Sequence, residues 1–552
     1  MKVATVVFSI LLIVAALGSI AAVAQNLPHF NHIVLVIQEN RTPDNLFGSA
    51  PSTAHCGVEY PFETGVDIQD GGPDHYPPFN GSNRCLMGQH LHRCWDINHW
   101  HTSWNTQANI DQTANPPSAS MDGACGNPVY PETQDCTIPD CPQYSFVEKS
   151  DVQQYFDIAT NYGFANYMFQ TNEGPSFEAH QFLLGGTSAP TYPGDLNNYY
   201  QQFVSELGQG SCNFYPDSAK WANAKGDDVD EQAPPYPGWG KSWHDCFDHD
   251  TLVDRLIGAG ISWRYYSADT NTALWSAVNA IYHLCYSEPN YTVVPPHPCD
   301  TNLWSTNMSP ETHDNAAPIF TDIANCHLQQ VSWVTPDGRW SDHAADDQGL
   351  GPSYVANIVD AIGTSQCVDT VGLVNYSYWQ DTAIFIVWDD WGGWYDHVAP
   401  PPNMLVRKYD GFTNPCSTNP INTWGCGYTY GFRVPLLVVS AYTPAGYVSG
   451  SIARGGPGMT TPYIHDFGGI LYFIENNFQL PYINIDSNVG YADRNAPDNA
   501  PPFLPLADFF TGSYRSFTPV QPAVGLTSDY FINYLQQHPG ETAKGPDGDD
   551  AD

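Results

Sequence analysis

The chain has 552 residues, 42% of them apolar, enough for one large α/β unit or for three to four domains of about 150 residues each. Eighteen Lys and Arg against 58 Asp and Glu give a formal net charge of −40, where an average chain of this length carries roughly 70 of each sign. The cations are the depleted class, which excludes a basic surface for nucleic acid or an anionic membrane.

At the N-terminus, Met1 and Lys2 precede an apolar run from Val3 to Ala24, and Ala22-Val23-Ala24 before Gln25 fits the small-x-small pattern of signal peptidase. Residues 1–24 are therefore expected to be a signal peptide and the mature protein to be secreted or periplasmic. An uncleaved membrane anchor is the second reading, because the run is long enough to span. Fourteen cysteines, an even number, suit an oxidising compartment. Cys85/Cys94, Cys125/Cys136/Cys141, Cys285/Cys299 and Cys416/Cys426 are close in sequence within Gly/Pro/Asn-rich loops, but their connectivity stays open.

Three continuous apolar runs, Ile33–Ile37, Ala383–Trp388 and Val434–Ser440, read as strands of a parallel sheet covered on both faces. Amphipathic segments at Thr251–Ala259, Tyr354–Ile362 and Ile470–Asn476 read as helices, and the alternation implies an α/β fold. Residues 48–145 are rich in Pro, Gly, Asn and Cys and read as a loop-rich, disulfide-tied insertion in a single domain spanning 25–535. Residues 536–552 form an acidic tail.

The first strand ends at Glu39-Asn40 and the second at Asp389-Asp390. Ligands of such sheets bind at the carboxyl ends of strands, so four oxygen donors could meet there around a hard divalent cation. The bland alternative is that strand ends are polar because loops follow. In Glu173-Gly174-Pro175-Ser176-Phe177-Glu178-Ala179-His180, the Gly-Pro turn places Ser176 just ahead of a helix, where a hydroxyl is either an N-cap or a nucleophile. His244-Asp245-Cys246-Phe247-Asp248-His249-Asp250 has metal-like composition but precedes a helix and reads as a cap.

Taken together, six segments resemble the bacterial phosphoesterase family of phospholipases C and related acid phosphatases, within the alkaline-phosphatase superfamily. They are HIVLVIQENRTPDNLFG, DINH with MDGAC, NEGPSFEAHQFLLGGTS, WSDHAADDQGLGPSYVANIVDAIG, WDDWGGWYDHVAPP and YGFRVPLLVVSAY, in the family's order from about residue 30 to about 510. The resemblance implies an alkaline-phosphatase-like, mostly parallel central sheet flanked by helices. It implies one divalent metal ion, Mg²⁺, Ca²⁺ or similar, on Glu39, Asn40, Asp389 and Asp390. Ser176 matches the nucleophile, which is Ser in phosphatase members and commonly Thr in phospholipases C. His99 and His343 match histidines that contact phosphate or protonate the leaving group, and His283 is the candidate for a further one. Two departures stand out: Ala344 replaces the usual Pro after His343, and Gly469 replaces a Ser of the late helix.

The implied function is hydrolysis of small phosphate esters through a phosphoserine, acid-phosphatase-like. The alternative is a phospholipase C acting on a phospholipid head group, with Trp391, Trp394 or Tyr395 lining a choline-binding face. A secreted carbohydrate-binding protein, or a glycosidase using Glu39 with Asp389 and Asp390, are readings of another class. No nucleic-acid partner and no membrane anchor after signal cleavage are expected. One detail conflicts with the metal reading: Asn40-Arg41-Thr42 is an N-glycosylation sequon.

Overall fold

The computed structural model describes residues 28–48, 86–111, 118–174, 176–186, 249–268, 276–287, 299–345, 348–368, 375–400, 430–450, 464–483 and 506–543, together with the strand pair 78–79/82–83. The signal-peptide, Cys85, Cys416/Cys426 and 544–552 expectations lie outside these residues.

Eight strands form the central sheet: β1 (His32–Gln38), β2 (Gly163–Ala165), β3 (Trp263–Ser267), β4 (Met308–Pro310), β5 (Val331–Val334), β6 (Thr382–Trp388), β7 (Leu436–Ser440) and β8 (Tyr447–Ser449). Their spatial order is β4-β3-β5-β1-β6-β7-β2-β8. All neighbours are parallel except at β7, which runs against both β6 and β2. The Val434–Ser440 run was expected to be parallel like the others. Its side chains are buried on both faces, and a continuous apolar run reports that burial, not strand direction.

Two groups of helices flank the sheet. In one, α3 (Gln153–Asn161) and α6 (Pro318–Ala324) each pack against α7 (Gly351–Gly363). In the other, α4 (Ser176–Gly185) packs against α5 (Leu252–Ala259) and α8 (Phe467–Phe478). The expected helix Thr251–Ala259 matches α5 with Thr251 as its N-cap, and the other two fall within α7 and α8. Helix α5 opens on a capping box, with Thr251 and Asp254 exchanging hydrogen bonds. The cap is therefore Thr251, just beyond the His244–Asp250 cluster, of which residues 244–248 lie outside the described set.

The described part of the insertion is built differently. Between 86 and 147 it has short strand pairs, such as Trp95–Ile97 against Val129–Pro131, and the helix α2 (His101–Ala108). Disulfides join Cys94 to Cys136 and Cys125 to Cys141. Elsewhere Cys285 joins Cys299 and Cys326 joins Cys367. Among the described residues no helix is long and apolar enough to cross a membrane.

Candidate active site

Strands β1 and β6 pair in register from His32↔Thr382 to Gln38↔Trp388, so their next residues emerge side by side. The ladder continues past the strand ends, with Asp389 N donating to Gln38 O (3.0 Å) and Arg41 N to Asp390 O (3.0 Å). Asn40 N donates to Asp389 Oδ1 at 2.9 Å. Asn40 holds a left-handed backbone (φ 60°), a conformation Asn tolerates and one that collects at functional sites. Gly392 (φ 60°) donates its N–H to Asp390 Oδ1 at 2.6 Å, and a Cβ there would meet Asn40 O at 2.4 Å. Only glycine lets the loop after β6 close so tightly over Asn40.

Ser176 begins helix α4, and its hydroxyl is buried. It donates to Asp390 Oδ2 (3.0 Å) and lies 3.3 Å from Asn40 Oδ1. One turn later on the same helix face, His180 Nε2 sits 3.4 Å from Glu39 Oε1 and 3.6 Å from Asp389 Oδ2. The four expected donors thus divide: Asn40 and Asp390 face Ser176, while Glu39 and Asp389 face His180.

His99 arrives from the insertion, in the turn between Trp95–Ile97 and α2. Its Nδ1 donates to Ile97 O (2.7 Å), which leaves Nε2 to accept from Asn40 Nδ2 at 3.3 Å. His343 is oriented the same way, Nδ1 to Ala344 O at 2.8 Å, and its ring lies 5.9 Å from that of His99, edge to face. The Ala344 departure leaves this bond intact because it uses only the backbone carbonyl. Glu39, Asn40, Ser176, His180, Asp389 and Asp390 have no exposed surface, and His99 and His343 have 1% each. Burial also disposes of the sequon: Asn40 is inaccessible, and Thr42 caps α1 (Pro43–Phe47) and donates to Tyr395 O.

His283 is not brought to this place. It lies 36% exposed with Nε2 2.9 Å from Asp254 Oδ1, the capping carboxylate of α5. The histidine that does reach the cluster, His180, had a readable signal, the i,i+4 spacing from Ser176 on one helix. Trp391, Trp394 and Tyr395 are likewise displaced from their expected role. They are buried in packed clusters, and the Arg41 and Arg93 guanidiniums stack on the Trp394 ring at 5.1 and 4.5 Å. These rings support the loop after β6 and offer no open face to a choline group.

Two buried ionic devices hold the loops in register. Arg41 donates through Nε (2.9 Å) and Nη2 (2.6 Å) to the Asp342 carbonyl and through Nη1 to Asn45, tying the end of β1 to the His343 segment. Arg433 grips Asp396 with two bonds (2.9 and 3.0 Å) and reaches Asp44, which in turn pairs with His397. This quartet joins α1, the loop after β6 and the segment before β7.

Burial by itself would raise the Asp389 carboxyl and lower the His180 imidazole. Their mutual attraction, joined by Tyr265 at His180 and by Glu39 and Ser176 at Asp389, outweighs it, holding Asp389 below the usual carboxylate range and His180 above its ordinary value. Asp342, next to His343, is pushed up to about 6 by burial despite Arg41 and hydrogen bonds from Tyr155 and Trp388.

A strand-end cluster of carboxylates, a buried hydroxyl and converging imidazoles in a mostly parallel α/β sheet make a candidate metal-binding and hydrolytic site. A family model described as the phosphoesterase family matches residues 30–481, and the chain belongs to that family. It is 22% identical to the hemolytic phospholipase C of Pseudomonas aeruginosa over 477 residues, 82% of this chain and 53% of that one. It is 24% identical to the non-hemolytic phospholipase C of Burkholderia pseudomallei over 546 residues, 89% of this chain and 63% of that one. Phospholipase C B of Mycobacterium tuberculosis is 31% identical over 198 residues, 35% of this chain and 34% of its own length. The chain therefore spans between about half and two thirds of the first two relatives.

The residues present fit a divalent cation. Two carboxylates, Glu39 and Asp389, are buried beside the His180 imidazole, a third, Asp390, is buried beside Ser176, and Asp389 Oδ2 has no hydrogen-bond partner among the described residues. Charge gathered in this way is stable only when paired or coordinated. Glu39, His180 and Asp389 place ligand atoms within 4.8 Å of one another.

Proposed function

We propose that the protein hydrolyses phosphodiesters of the phospholipase C type, releasing a phosphorylated head group, in an oxidising, extracytoplasmic compartment. The observation that carries the chemistry is the Ser176 hydroxyl, buried at the N-terminus of α4 with Asp390 and Asn40 as its partners. The diester preference is supported by the named activities of the relatives, all phospholipases C, more than the small-monoester expectation is. The four disulfides among the described residues support the compartment.

In this reading Glu39, Asn40, Asp389 and Asp390 hold the cation. When bound, that ion supplies charge to lower the pKa of the Ser176 hydroxyl and to neutralise a phosphoryl oxygen. The chain does the rest. Asp390 accepts the Ser176 proton as Oγ attacks phosphorus, and the phosphoryl oxygens face the first N–H groups of α4, where the helix dipole favours an anion. His99, once its Nε2 is released from Asn40 and protonated, gives that proton to the departing alkoxide, and His343 lies beside it. The phosphoseryl ester is then hydrolysed by a water that gives its proton to His99 as the P–Oγ bond breaks, and Ser176 Oγ takes its proton back from Asp390.

The test is hydrolysis of p-nitrophenylphosphorylcholine and of p-nitrophenyl phosphate by the full chain, with and without chelator. Chelator-sensitive cleavage of the diester at the higher kcat/KM is expected. Cleavage of the monoester alone would restore the acid-phosphatase reading, and cleavage of neither would end both.

A further inference from the structure

We infer that His180 is a direct nitrogen ligand of the site's cation, and that the site therefore selects a zinc-like transition metal over Mg²⁺ or Ca²⁺. The inference rests on the phosphoesterase reading of this cluster and adds to it the metal's chemical class.

The sequence pointed to an all-oxygen set, which would suit a hard cation. Folding changes the donor set, because α4 carries His180 one turn beyond Ser176 and delivers it to the far side of Glu39 and Asp389. Its Nε2 stands 3.4 Å from Glu39 Oε1 and 3.6 Å from Asp389 Oδ2. Both separations exceed the 2.7–3.2 Å typical of a hydrogen bond. Donors bound at about 2.1 Å to one four- or five-coordinate ion stand about 3.0 to 3.6 Å apart for angles of about 90 to 120°, and the separations of 3.4 and 3.6 Å fall in that range. Asp389 Oδ2, fully buried and without a hydrogen-bond partner among the described residues, faces the same point.

A second carboxylate–imidazole cluster has a different geometry. Asp44, Asp396 and His397 also place donor atoms close together. There His397 Nδ1 approaches Asp44 to 2.8 Å, and Arg433 binds Asp396 at 2.9 and 3.0 Å. Contacts are short and a guanidinium fills the middle. In the Glu39–Asp389–His180 group the imidazole stands 3.4 and 3.6 Å back from the two carboxylates. One imidazole in the set moves preference from Mg²⁺ and Ca²⁺ towards Zn²⁺ and its neighbours, for which imidazole is a favoured ligand.

The experiment is X-ray absorption at the zinc edge on the zinc-loaded full chain, with zinc and magnesium affinities measured by competition. The expected spectrum shows outer-shell scattering from one imidazole per ion. It is lost in His180→Gln, which binds zinc about 100-fold more weakly or worse while its magnesium affinity holds or rises. A wild-type spectrum with oxygen ligands only would overturn the inference, as would imidazole scattering that survives in His180→Gln. Should that variant not fold, a His99→Gln/His343→Gln double variant decides: retained imidazole scattering assigns it to His180, and its loss refutes the assignment. Diester hydrolysis by wild type with an oxygen-only shell would leave the proposed function standing and this inference fallen. An imidazole shell in a protein that cleaves no phosphoester would do the reverse.

Discussion

The central sheet and the disulfide-tied insertion both deliver residues to one site, but by different physics. The sheet side places Glu39, Asn40, Asp389 and Asp390 by strand register alone, since β1 and β6 pair along seven residues and end together. The insertion places His99 through strand pairs of three residues, a disulfide between Cys94 and Cys136, and a small cluster in which Trp95 and Ile97 pack on Ala344 and Trp394. Gly393 (φ 73°) marks the seam: a Cβ there would stand 2.3 Å from the Ile97 side chain and 3.0 Å from Asn98 O. Strand register lies deep in the core and resists local change. The insertion is a small satellite whose order depends on crosslinks.

The largest expected effect lies on the sheet side and tests whether chemistry there is separable from folding. Ser176→Ala removes a hydroxyl whose partners, Asn40 and Asp390, retain other hydrogen bonds. Turnover should fall about 10⁵-fold or more while the melting temperature changes little. Retained turnover would sink Ser176 as nucleophile, and a collapsed fold would show that its hydrogen bonds are structural.

This side was also the more legible in the sequence, for a physical reason. Long β-branched runs announce buried strands, and polar residues at their ends announce the site. Strand direction was not legible, because β7 is as apolar as its parallel neighbours. His180 and His283 show the other gap. Both lie in short helical stretches after Ser176, and only packing decides that α4 faces Glu39 while His283 caps the charge of Asp254. The three aromatic residues of the loop after β6 misled in the opposite sense, since exposure cannot be read from composition.

On the insertion side, replacing Cys94 and Cys136 by Ser removes a crosslink over 42 residues, worth about 4 kcal/mol of unfolded-chain entropy. The loss should appear locally. Amide exchange should accelerate across 94–136 and leave His32–Gln38 protected, with lower kcat as His99 loses its place. Equal acceleration in the sheet would erase the distinction between the two regions. His99→Asn is a milder probe of the same seam. It should lower kcat about 10²-fold and flatten the acid-to-neutral limb of the pH profile, with metal content unchanged. A change in KM alone would make His99 a binding group.

The smallest effect concerns pH and returns to the sheet. Asp342 is buried, accepts hydrogen bonds from Tyr155 (2.7 Å) and Trp388 (3.0 Å), and has its carboxyl raised to about 6 from an ordinary 3.8. A raised acid binds its proton more tightly folded than unfolded, so stability is full below the unfolded value and declines as pH climbs through 6. The group alone costs about 2–3 kcal/mol at neutrality. Asp342→Asn keeps a carbonyl for both donors and cannot ionise. Its stability should match wild type near pH 4 and exceed it near pH 7 by about 2 kcal/mol, read by denaturant unfolding at both values. Equal curves would mean that Arg41 and the two donors already offset the charge. The expected divergence would show that a loop beside His343 favours acid, and a surface so poor in Lys and Arg gathers little positive charge as pH falls. The core and the composition would then point to the same acidic working range, each by its own mechanism.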